Sequence, residues 1–102
     1  MSKLYFKVDQ KQYNTLSGLR YRIADKGYQR EHSAPDAEIE QTHKTICSLF
    51  DEADALGIPF WVQNVVIASV QDKAGTWRNY LEEYTFQVLE SHGIDCSEVT
   101  TR

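Results

Sequence analysis

His43 and Cys47 are the first residues along this chain whose types and spacing suggest chemistry. Four residues apart on a helix, an imidazole and a thiol share a face and can reach one metal ion. His92 and Cys96 repeat the spacing, and the two pairs together would make a two-histidine, two-cysteine zinc set if their helices met. Gly93 interrupts the second pair, however, and a free cysteine commonly packs as a small hydrophobe. The expectation is therefore no metal and no cofactor, with His43 and Cys47 bordering a core face.

Carboxylates offer a second kind of chemistry. Asp36, Glu40, Asp51 and Asp54 fall on one surface of an expected helix. Acid–base catalysis requires burial or an apolar pocket to shift proton affinity, and a solvated helical face supplies neither. The chain has no Gly-rich phosphate loop, no nucleophile elbow and no Ser/His/Asp order. An enzyme would have to bring Gln63 and Asn64 together with His43 or His92 in a deep pocket. A non-catalytic protein is the better expectation.

Two further clusters point to recognition. The stretch LRYRIADKGYQR interleaves Arg20, Arg22, Lys26 and Arg30 with Tyr21 and Tyr28. Cations neutralise phosphates and tyrosine rings stack on bases, which is what single-strand or RNA binding requires. The competing reading pairs these cations with an acidic second helix lying antiparallel beside the first. Each exposed pair then contributes only tenths of a kcal/mol, and a chain with net charge −4 favours this reading over nucleic acid. Phe86 is the other oddity. On a helical wheel it stands opposite Trp77, Tyr84 and Val88, among Asn79, Glu82, Glu83 and Glu90. A ring rimmed by carboxylates on an exposed face suggests an interface anchor. Alternatively, the Lys3–Val8 arm or the tail covers it, and if the arm comes from a second copy the result is a homodimer.

The elements that carry these residues are mostly helical. Lys3 to Val8 is short, aromatic and β-branched, hence a strand or extended arm. Asp9 with Gln12 forms the signature of a capping box, and Tyr13, Leu16, Leu19 and Ile23 then recur as an apolar stripe that also contains Arg20. Gly27 is the expected stop. A second helix runs from a Ser33 cap to Gly57, with Pro35, Asp36 and Glu38 in its first turn and Ile39, Ile46, Leu49, Phe50, Ala53 and Leu56 on its inner side. The run IPFWVQNVVIASV, residues 58–70, is too long for a typical strand and is expected to be the central, most buried helix. A last helix spans Trp77 to His92 and stops at Gly93. The fold class is thus a small four-helix bundle with a short N-terminal strand, in one domain covering 1–102. The alternative is an α/β layer with strands near 3–8 and 60–70.

Charge is sorted along these elements. Residues 1–32 carry Lys3, Lys7, Lys11, Arg20, Arg22, Lys26 and Arg30 against Asp9, Asp25 and Glu31, whereas residues 33–72 set Lys44 alone against seven acids. Such segregation leaves charged faces for partners. Two cysteines make no disulfide framework, MSKLYFKVDQ has no apolar stretch long enough for secretion, and no run reaches membrane-spanning length. A cytoplasmic protein with no membrane partner is expected. The functional expectation is a small acidic interaction module, a regulator or inhibitor that binds a basic protein surface or itself. Its face comprises Phe86, Glu82, Glu83, Glu90, Asp36, Glu40, Asp51 and Asp54. Nucleic-acid binding through 19–30 is the second reading.

Overall fold

Asp9 opens the first helix in the way its spacing to Gln12 predicts. A computed structural model describes residues 5–71 and 81–100, without the side chains of Ser69, Gln71 and 81–85. In it the Asp9 carboxylate accepts from the Gln12 amide at 2.8 Å, and Gln12 Oε1 accepts from the Asp9 amide at 2.9 Å. This reciprocal capping box satisfies two amides that a helix start leaves without partners.

Helix α1 (Gln10–Glu31) does not stop at Gly27. One glycine costs about 1 kcal/mol in a helix interior, and each further residue recovers a backbone bond once the helix is nucleated. The end comes at His32, where the His32 amide donates to the Tyr28 carbonyl and the Ala34 amide to the Gln29 carbonyl. Ser33 lies at φ 55° and turns the chain; it is not the cap expected there. Pro35 holds the N-cap position of α2 (Asp36–Ala55), whose first turn carries Asp36 and Glu38 beside the positive end of the helix dipole. Gly57 ends α2 at φ 76°, a conformation that glycine adopts without steric penalty.

Residues 58–70 form a helix rather than a strand: α3 spans Phe60–Gln71. It is not the centre of the bundle. That place belongs to α1, which packs against α2, α3 and α4 (Leu81–Ser91). Leu16 and Leu19 of α1 are fully buried among Ile46 and Ala53 of α2, Val62 and Val66 of α3, and Leu89 of α4. A side bond fixes the α1–α2 pair at each end of its first turns: Thr15 donates its hydroxyl to Glu52 and Gln12 Nε2 donates to the Leu56 carbonyl at 3.0 Å. Gln63, an amide in an apolar run, is buried and donates to Asp54 and to the Ile58 carbonyl at 2.8 and 3.0 Å. The segment expected to begin the last helix, Trp77 to Tyr80, lies outside the described residues.

The N-terminal arm is covered by the chain's own tail. Strands β1 (Phe6–Lys7) and β2 (Ile94–Asp95) run parallel with Phe6 opposite Ile94, and Gly93 turns the chain into β2 at φ 86°. The Phe6 amide donates to the Gly93 carbonyl and the Val8 amide to the Asp95 carbonyl. Val8, Ile94 and Cys96 close the core from this side. Outside, the Tyr5 hydroxyl donates to Asp95 at 2.6 Å and Lys7 pairs with Glu98 at 3.1 Å.

The Tyr5 hydroxyl, with help from Ser97, holds the Asp95 carboxyl below its usual range. Since folding lowers that pKa, its contribution is complete above about pH 4 and disappears as the pH falls through the folded value. In a Tyr5→Phe variant the Asp95 carboxyl should titrate at higher pH, as read by NMR; an unmoved titration refutes the bond. Gly18 offers a second test. A Cβ there would meet Leu49 at 3.8 Å, an ordinary contact, so Gly18→Ala should stabilise the fold by about 0.5–1 kcal/mol in urea denaturation.

Candidate interaction surface

Three clusters singled out in the sequence take different positions. The first is Phe86. Its ring is half-buried and meets Tyr13 edge-on, with centroids 6.4 Å apart. The expected open face is therefore turned inward. The buried side of α4 is centred on Val88 and Leu89, and Phe86 lies one turn from Leu89 on that side. Glu90 is exposed, but its carboxylate accepts from the Cys96 amide at 2.6 Å and thereby anchors the tail. The side chains of Glu82 and Glu83 lie outside the described residues. Phe86 is thus packed in part against its own chain.

The basic–aromatic cluster is divided among several sides of α1. Arg20 is 1% exposed and engaged within the fold, so it presents nothing to a phosphate. Tyr21 packs against the small cluster of Ala24 and Val70. Arg22 pairs with Asp25 on its own helix at 3.6 Å, and Lys26 meets His43 across the α1–α2 seam at 3.0 Å. Tyr28 remains exposed and stacks on His32, with centroids 4.0 Å apart. Arg30 is exposed. A single continuous nucleic-acid face does not result.

The acidic row of α2 remains outside. Asp36, Glu40, Asp51 and Asp54 are all exposed. The expected antiparallel pairing of α1 cations with these four acids does not form among the described residues; Arg22 pairs instead with Asp25 on its own helix, and Lys7 with Glu98. His43 and Cys47 were expected at the core border and instead sit exposed in this same row. Cys96 is buried beneath β2, and His92 bonds back to the Val88 carbonyl at 2.9 Å. Among the described residues no three metal-ligating groups come together. Gln63 is buried while Asn64 is exposed, so these two amides do not converge.

Sequence reasoning missed Phe60. It is 75% exposed at the first position of α3, and Asn64 and Ala68 continue the same outward side. The Gln63–Asp54 bond ties the end of α2 to the first turn of α3, the turn that Phe60 opens. A nearly uniform apolar run carries no periodic signal for its outward side, so the sequence pattern could not single out Phe60.

Comparison with known proteins adds no relative: no family model, no curated protein and no solved structure matches the chain. No helix among the described residues is long and apolar enough to cross a membrane.

The burial of Arg20 makes it structural. Arg20→Leu should lower stability by about 2–3 kcal/mol, because the groups that engage the guanidinium lose their partner. Urea denaturation followed by circular dichroism measures this, and a midpoint equal to that of the unaltered chain would refute it.

Proposed function

We propose that this chain is a small non-catalytic interaction module that docks on a basic protein surface. Phe60 is the apolar anchor, and the carboxylates Asp36, Glu40, Asp51 and Asp54 provide the surrounding charge. The observation that carries the reading is the 75% exposure of Phe60, on the turn of α3 whose Gln63 is bonded to Asp54 at the end of that row. A lone exposed ring is ordinary on a protein surface. An exposed ring on the element that adjoins the end of an exposed carboxylate row supplies the apolar and charged parts of an interface, where the ring gives affinity and the charges give selectivity and association rate.

Titration calorimetry with an amphipathic Lys/Leu helical peptide tests the reading. Binding should weaken by about tenfold or more with Phe60→Ser, a loss of roughly 1.4 kcal/mol. Asp51→Asn with Glu40→Gln should instead flatten the dependence of association on salt. Equal binding by the Phe60→Ser protein removes the anchor. A dimer by light scattering that dissociates with Phe60→Ser assigns the ring to self-association instead.

A further inference from the structure

The two cysteines occupy opposite environments. Cys96 is fully buried, and burial, reinforced by Glu90 and Asp95, pushes its thiol up to about 12. A thiol held so high contributes almost no thiolate at neutral pH and is inert. Cys47 is exposed on α2, and its sulfur lies 3.6 Å from Nε2 of His43, one turn earlier. His43 is held in turn from another helix, because Lys26 Nζ on α1 lies 3.0 Å from its Nδ1.

The direction of both bonds follows from Lys26. An ammonium group has donors only, so Nδ1 accepts, and a neutral imidazole then carries its hydrogen on Nε2. That hydrogen is directed at Cys47 Sγ. His43 is therefore a donor to the sulfur, not a base that removes its proton. The thiolate is the nucleophile in thiol chemistry, and this N–H lies where the reacting sulfur is. The charged neighbours of Cys47 on its own helix are Lys44 and Asp51, one turn to either side, and Glu40 and Asp54, two turns to either side; from α1, Lys26 approaches through His43. The row of exposed carboxylates on this side of α2 attracts cations and repels anions.

We propose that Lys26, His43 and Cys47 form a surface thiol site that takes small cationic disulfides by thiol–disulfide exchange. Cys47 gives its proton to water, and the thiolate attacks one sulfur of the disulfide. A new S–S bond forms to Cys47 as the old S–S bond breaks, and the departing thiolate keeps the electron pair and is protonated by solvent. Cys47 is oxidised to a mixed disulfide and half of the reagent is reduced to a thiol, so no other oxidant is consumed. The product carries a cation into the acidic row and lowers its negative charge. This site stands independently of the docking role of Phe60.

The test treats the full chain at neutral pH with cystamine or with oxidised glutathione, reads adducts by intact mass, and divides each rate by that of free cysteine. One adduct per chain is expected, absent in Cys47→Ser and retained in Cys96→Ser. The normalised rate with cystamine should exceed that with oxidised glutathione by about threefold or more. His43→Ala should slow the cystamine reaction about five- to tenfold. Lys26→Met should slow it about threefold while Lys26→Arg, which also donates, keeps the original rate. Circular dichroism verifies that each variant is folded, and the arginine rescue separates positioning of His43 from mere packing. Labelling of Cys96 ahead of Cys47, an unchanged rate in His43→Ala, or equal normalised rates for the two disulfides would each overturn the proposal.

Discussion

One face of α1 is the constraint on which the rest depends. Leu16 and Leu19 have no exposure, and all three other helices pack against this helix. Burying a large aliphatic side chain contributes about 1.5–3 kcal/mol, so a helix shared by three neighbours organises the domain more than any pair could. Arg20 lies in the same buried layer. A guanidinium taken out of water costs several kcal/mol unless it is engaged, and this one is engaged. The placement also shapes the surface. It removes a cation from the basic segment and leaves the remaining cations on sides of the helix that do not form one strip.

The strand pair is a consequence of the helices rather than an independent unit. Two residues per strand are far too few to hold a sheet in water. What keeps β1 beside β2 is the burial of Val8, Ile94 and Cys96 under the helices, with Tyr5–Asp95 and Lys7–Glu98 closing the outside. A parallel pairing requires a long crossover between its strands, and here the four described helices supply it. The chain's two ends are thereby brought together, with the Thr100 amide donating to Gln10 Oε1 at 2.7 Å.

Where sequence signals were local and clean, they led to the fold. Asp9 with Gln12 marked the start of α1, and the stripe through Ile46 and Ala53 marked the inner side of α2. Length alone separated helix from strand at 58–70. Apart from the end of α1, the failures share a cause: the deciding interaction lay elsewhere in the chain. Gly27 reads as a stop, yet the helix continues because the backbone bonds of its last turn outweigh one glycine. The outward side of α3 is set by Gln63 meeting Asp54 and by Val62 and Val66 facing α1, none of which the apolar run encodes. Phe86 was placed outward by a wheel centred on aromatic residues earlier in the same segment, whereas Tyr13 on α1 receives its ring. The acidic row was legible as a row; its lack of partners across the seam was not.

That lack of partners has a structural reason. The seam between α1 and α2 is closed by neutral donors and apolar contact: Gln12 reaches a carbonyl, Thr15 supplies a hydroxyl to Glu52, and Gly18 admits Leu49. Lys26 of α1 crosses the seam and meets an imidazole rather than a carboxylate. Consequently the negative charge of α2 is not neutralised inside the molecule and its field extends into solvent. Exposed ion pairs would have added little to stability, so the fold loses little by leaving these acids without a cation. Uncompensated like charges do repel one another along the helix, at a cost of tenths of a kcal/mol per pair. Of the exposed groups, Cys47 lies within that row and Phe60 opens the helix that Gln63 ties to its last member, Asp54.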